Sequence, residues 1–129
     1  MTQEDLNVLA KRTLDAAFQV HSAFGPGLLE SAYSACLVYE LRTAGLNVKT
    51  EVPVPILYRG IKMSDVGYRL DILVENEVVV EVKALEVIAP IHLTQLVSYL
   101  KLADKRLGFL LNFNVELLRT GIYRRVNKF

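Results

Sequence analysis

The sequence predicts an α/β or α+β sandwich, a mixed sheet with helices laid on it, and three observations carry that expectation. Two stretches with apolar residues at helical spacing open the chain, the texture changes from period 3.6 to period 2 near Val48, and another helical stretch interrupts the strands from Pro90. The expected order is two helices, three or four strands, one helix and two strands.

The first helix starts at a capping box, Thr2-x-x-Asp5, and carries Leu6, Leu9, Thr13, Ala17, Val20 and Phe24 along one side. Gly25-Pro26-Gly27 stops it, because proline cannot continue a helix and the glycines let the chain turn. A second helix is expected from about Leu28, with Leu29, Tyr33, Leu37 and Leu41 on one side and Gly45 as its C-terminal stop. Val48 to Tyr58 reads as a strand whose Pro53 and Pro55 assign it to a sheet edge. Arg59-Gly60 suits a turn into a short strand near Met63. Tyr68 to Val74 and Val78 to Ala84 are strongly β-prone, and the polar break Glu75-Asn76-Glu77 between them signals a hairpin. Pro90 opens a third helix to about Ala103, and Leu107 to Phe113 and Leu117 to Val126 read as two closing strands.

The 129 residues suit one domain spanning 1–129, with no repeat or flexible linker to divide it. A chain of this size buries roughly two-thirds of its unfolded surface, so it needs no disulfide or structural metal to hold a core. A single cysteine, Cys36, excludes an internal disulfide. Thr2-Gln3-Glu4-Asp5 resembles neither end of a secretory signal, which leads to the expectation of a cytoplasmic protein. No apolar run approaches the roughly 20 residues that span a bilayer, so no membrane partner is expected. The net charge of +1 argues against a strong polyanion magnet, although the segment from Lys101 onward holds seven basic and two acidic residues. That segment could hold phosphates or be a solvated edge strand.

Charged residues inside the apolar strands carry the chemistry. Strand alternation puts Glu81 and Lys83 on one face and Val82 on the other. If Glu75 to Glu77 form the loop, Val74 faces Val78 and Asp71 falls opposite Glu81, at about 5 Å between Cβ atoms. Two carboxylates at that separation repel by roughly 3 kcal/mol at an effective dielectric of 20. One of them must take a proton, pair with Lys83 or share a cation. Hard oxygen ligands suit Mg2+ or Mn2+, and Lys83 could orient or deprotonate a water beside the ion. The plainer reading is a buried Asp–Lys–Glu ion network of little net stabilisation.

Asp71…Glu81-Val82-Lys83 resembles the motif of the PD-(D/E)XK nuclease-like superfamily. Gly27-Leu28-Leu29-Glu30-Ser31-Ala32-Tyr33 resembles the signature of its GxxExxY family. The likeness runs from Val20-His21 through His92-x-x-Gln95 to Gly121-Ile122, nearly the whole chain. It implies a restriction-endonuclease-like fold and divalent-metal-dependent hydrolysis of a nucleic-acid phosphodiester, DNA first. The alternative is a catalytically weak or inactive module on the same fold that binds nucleic acid or a protein partner; a homodimer would also fit the small domain. The resemblance implies Asp71, Glu81, the Val82 carbonyl and Glu30 as metal ligands, and Lys83 as the catalytic lysine. It makes Gln95 and Tyr99 substrate- or lysine-placing residues. The segment Tyr68-Arg69-Leu70-Asp71 departs from the motif in lacking its proline.

Helix spacing puts His92, Gln95 and Tyr99 on one stripe, and Glu30 and Tyr33 on another. Tyr33 and Tyr99 are candidates for substrate positioning or ordinary core tyrosines with satisfied hydroxyls. His92 either takes part in the site or decorates a helix start. His21, at the end of the first helix, is a ligand, a phosphate contact or the partner of a C-terminal carbonyl of that helix.

Overall fold

A computed structural model describes residues 1–129, apart from the side chains of Asp65 and Val66. Its elements run α1 (Gln3–Phe24), α2 (Glu30–Thr43), β1 (Val48–Tyr58), β2 (Ile61–Val74), β3 (Val78–Lys83), α3 (Pro90–Ala103), β4 (Leu107–Asn112), a single 3-10 turn (Leu118–Gly121) and β5 (Ile122–Val126). The strands form one mixed sheet in the order β1-β2-β3-β4-β5. Neighbours are antiparallel except β3 and β4, which run parallel and are joined through α3. The expected mixed α+β architecture is therefore present. The proline-bearing β1 lies at a sheet edge, as its sequence predicts.

Local chemistry explains the helix ends. Thr2 Oγ1 accepts from the Asp5 amide at 3.0 Å, and Asp5 accepts from the Thr2 amide at 3.0 Å, which completes the capping box of α1. Gly25, at φ 63°, ends that helix with its amide on the His21 carbonyl. Phe24 does not continue the apolar stripe and is 53% exposed at this end. The second helix starts at Glu30 rather than Leu28, because the Leu28 amide is held by the Tyr33 hydroxyl at 3.1 Å. Among the described residues no helix is long and apolar enough to cross a membrane.

The sheet separates two cores. Ile72, Val74, Val78, Val80, Val82, Leu107, Phe109 and Leu111 pack toward α1 and α2. Leu70, Leu73, Val79 and Leu110 pack with Leu96 and Leu100 of α3. The central β3 and β4 are thus covered on both faces, which accounts for their nearly uninterrupted apolar sequence.

Two expectations need correction. The segment near Met63 is not a separate strand but the first part of the 14-residue β2, which pairs with β1 on both sides of a bulge. Leu117 to Val126 is not one strand either. Its first part curls so that Thr120 bonds the Leu117 carbonyl through both amide and hydroxyl, and β5 begins only at Ile122. Gly121 permits this shape: a Cβ there would lie 2.2 Å from the Asn112 carbonyl oxygen.

Tyr33 and Phe113, both fully buried, stack at 4.7 Å with their planes 12° apart, and His21 tilts against Phe113 at 6.4 Å. The Tyr33 hydroxyl donates to the Gly25 carbonyl at 2.5 Å, so the stack also ties down the Gly-Pro-Gly turn. Phe113→Ala should cost about 3–5 kcal/mol, the usual range for an aromatic removed from a core. Tyr33→Phe should cost about 1 kcal/mol through its hydroxyl bonds. Urea unfolding checks both values, and equal costs would contradict this division of labour.

Candidate active site at a fork in the sheet

The hairpin has the loop expected from sequence, with Val74 paired to Val78 and Ile72 to Val80. Beyond that pair the β2–β3 ladder stops, while β3 continues along β4 as far as Lys83 opposite Asn112, and β2 continues along β1. Asp71 and Glu81 occupy the fork. The Asp71 amide donates to Glu81 Oε1 at 3.3 Å, and the Val82 amide donates to Asp71 Oδ2 at 3.0 Å. Carboxylate oxygens have replaced carbonyls as partners of these two amides, so the strands part without orphaning them.

Asp71 also departs from simple alternation. Leu70 and Leu73 face α3, whereas Ile72 faces α1 and α2, so one step of the alternation is lost between them. Opposite this step, pairing passes from Thr50–Ile72 to Val52–Leu70, and the intervening Glu51 has φ 50°. Asp71 and Ile72 consequently line a cleft of about 830 Å³ under α2, whose other walls include Glu30, Ser34, Arg42 and Glu51.

Electrostatics follows from this placement. Glu81 is 5% exposed, and its pKa is pushed up to about 9 by burial first, then by the Asp71 charge and a hydrogen bond to Asp71. Half-buried Lys83 has no ion pair among the described residues, and its lowering influence on the Glu81 pKa is the smallest of the causes acting there. Glu30 belongs to an exposed part of α2, yet partial burial of its carboxyl raises its pKa, with Lys83 opposing and Asp71 adding to the shift. Tyr99 is half-buried on the other side. Its pKa is raised by burial and then by Glu81, Tyr68 and Asp71, and its ring tilts against Tyr68 at 5.0 Å.

The structure therefore brings Asp71, Glu81, Lys83, Glu30 and Tyr99 into one electrostatic neighbourhood. Among the described residues no three His, Cys, Asp or Glu side chains converge as a closed ligand cage. Asp71 and Glu81 alone supply an open pair of hard oxygen donors. That pair suits a divalent cation, whose charge would take the place of the Glu81 proton and offset the repulsion between the two ionised carboxylates.

Other candidates lie elsewhere. Gln95 is exposed one turn before Tyr99. His92 Nδ1 accepts from the Ala89 amide at 3.0 Å and so caps the start of α3. His21 is buried, with Nε2 2.7 Å from the Val115 carbonyl oxygen. Tyr33 is a core tyrosine, bonded as described above. Asn112 is a site-supporting residue that the motif search does not find. Its amide bonds both the amide and the carbonyl of Leu85, at 3.0 and 2.9 Å, and fixes the chain just after Lys83. The Phe113 amide holds the Lys83 carbonyl at 3.0 Å. The one clue in sequence was a polar residue ending the apolar run Leu107-Gly108-Phe109-Leu110-Leu111.

The model of the PD-(D/E)XK nuclease superfamily matches residues 7–126. The chain belongs to the PD-(D/E)XK nuclease superfamily. This superfamily consists generally of hydrolytic nucleases that typically use divalent metals, and it implies a nucleic-acid substrate. No curated protein and no solved structure matches the chain.

The raised Glu81 pKa has a definite sign for stability. Its neutral form is favoured in the folded state, so its contribution is complete below pH 4.5 and is lost as pH rises toward about 9. In metal-free buffer, the Tm of Glu81→Gln should gain on wild type steadily across that window. A difference independent of pH would show that Glu81 is not held neutral.

Proposed function

We propose that this protein is a nuclease of the GxxExxY branch of its superfamily, hydrolysing phosphodiester bonds, of DNA first, with Mg2+ or Mn2+. The carrying observation is the fork itself, where Asp71 and Glu81 meet beside an ammonium without an ion pair among the described residues. In this reading the carboxylates of Asp71 and Glu81 hold the ion, with the Val82 carbonyl and, across the cleft, Glu30 completing its surroundings. A bound divalent ion lowers the pKa of water and neutralises charge developing on phosphate.

Lys83 is the catalytic lysine, which orients the attacking water or takes its proton. Its strand is held on both sides of the side chain, through β4 pairing and through Asn112, so the amine has a fixed origin. Tyr99 lies close enough to feel the Glu81 and Asp71 charges, and Gln95 is exposed one turn earlier on the same helix. Their role is to place the substrate or the lysine. The gain from a positioned acid–base group is typically 10²–10⁴-fold. The protein acts as a single domain in a reducing cytoplasm, where Cys36 remains a thiol.

Two measurements test the assignment. Mn2+ or Mg2+ should raise the Tm of wild type and of Lys83→Ala, but not that of Asp71→Asn. Cleavage of single-stranded, duplex and flapped DNA should fall by about 10²-fold or more in Lys83→Ala. Metal stabilisation without cleavage of any substrate would favour the inactive binding module. Absence of stabilisation in wild type would remove the metal site altogether.

A further inference from the structure

The hairpin of β1 and β2 continues past the fork as a two-stranded ribbon that no third strand joins. Tyr68, beside the site, pairs with Val54, and the five steps from Val54 to Arg59 in the turn span roughly 17 Å at an ordinary strand rise. The turn has φ 52° at Arg59 and 76° at Gly60, the paired positive angles of a two-residue hairpin loop whose twist matches its strands. Asn or Gly is the easy choice for the first of these positions, yet an arginine occupies it. Its guanidinium lies 5.5 Å from the ring centre of Tyr58.

The ribbon's end is unusually apolar for a surface. Leu57, Tyr58, Ile61 and Met63 are each more than half exposed. Tyr58 and Ile61 are cross-strand partners on one face, and Met63 stands at the bulge where pairing passes from Leu57–Lys62 to Ile56–Ser64. Charge decides what could cover them. Residues 56–69 hold Arg59, Lys62 and Arg69 against one acidic residue, a net +2, in a chain whose total is only +1. Two such ribbons would repel each other, whereas a polyanion would be attracted.

We infer that the β1–β2 ribbon is an arm that grips a DNA duplex, laying its apolar tip in a groove while Arg59 and Arg69 meet the flanking phosphates. The B-form major groove, about 12 Å wide, admits a two-stranded ribbon, and apolar side chains also wedge between base steps in the minor groove. The deep, narrow major groove of duplex RNA is closed to side chains, so a ribbon lying in a major groove requires DNA. The inference deepens the nuclease reading and rests on it for where the duplex lies. Because Tyr68 touches Tyr99 at the site, the arm and the carboxylate pair would engage neighbouring parts of the same duplex.

Binding in EDTA separates the arm from the chemistry. Fluorescence anisotropy with a labelled DNA duplex, and with one of its strands, is measured for wild type, Tyr58→Ala/Arg59→Ala, Ile61→Ser and Asp71→Asn. Both tip variants should bind duplex at least about tenfold more weakly, and the double variant should lower the salt slope by about one. Asp71→Asn should bind at least as well as wild type. All mutated tip side chains are exposed, so thermal melts should remain near wild type.

Unchanged duplex binding in both tip variants would overturn the inference, as would a wild-type preference for the single strand. So would loss of a wild-type dimer in the tip variants, seen by sedimentation without DNA. Tip-dependent duplex binding by a protein that never cuts with Mn2+ would sink the nuclease reading and leave the arm standing.

Discussion

Everything about the site depends on one exchange of hydrogen-bond partners. Where β2 and β3 should trade amide-to-carbonyl bonds, the Asp71 and Val82 amides are taken up by side-chain carboxylates instead. A sheet cannot open in its middle without compensation, because buried N–H groups left without acceptors are costly. The two acids meet that requirement, and they incur a different cost in return. One of them is buried beside the other's charge and is driven to hold a proton. The opening and the electrostatic tension thus come from the same two residues.

The rest of the fold maintains that opening. On one side α2 stands over the cleft, anchored by fully buried Tyr33, Leu37 and Leu41. On the other side α3 brings Tyr99 to the carboxylates, while Leu96 and Leu100 fix its depth on the sheet. Beyond the fork, Asn112 and Phe113 at the end of β4 take over from β2 as the support for Lys83 and the residues after it. Three polar contacts therefore replace one missing stretch of ladder.

Much of this was legible from residues alone. The Val74–Val78 symmetry around a three-residue polar loop sufficed to bring Asp71 to Glu81, and Pro90 marked the start of α3 to the residue. What could not be read had physical reasons. Alternation assigned Asp71 a face, but a skipped step opposite Glu51 turned it toward α2. Leu117 to Gly121 had strand-like composition, but it curls through the Thr120–Leu117 bonds and a close approach of Gly121 to Asn112 that only glycine allows. His21 and His92 offered the same imidazole to several roles, and in the fold one ring nitrogen of each bonds a backbone group, the Val115 carbonyl and the Ala89 amide. Asn112 left almost no trace, since one amide at a strand end has no periodicity to betray it.

The topology also separates the parts of the site by the range of the contacts that hold them. Asp71 and Glu81 are ten positions apart and meet across a tight hairpin, a contact with little loop entropy to overcome. Lys83 is held in place only when β4 returns through α3 to lie parallel to β3, a pairing of distant segments. Non-local parallel pairing is intrinsically slower than hairpin closure. The acidic pair thus rests on a local contact and the lysine's frame on a distant one, and the complete constellation exists only once the far side of the sheet has closed.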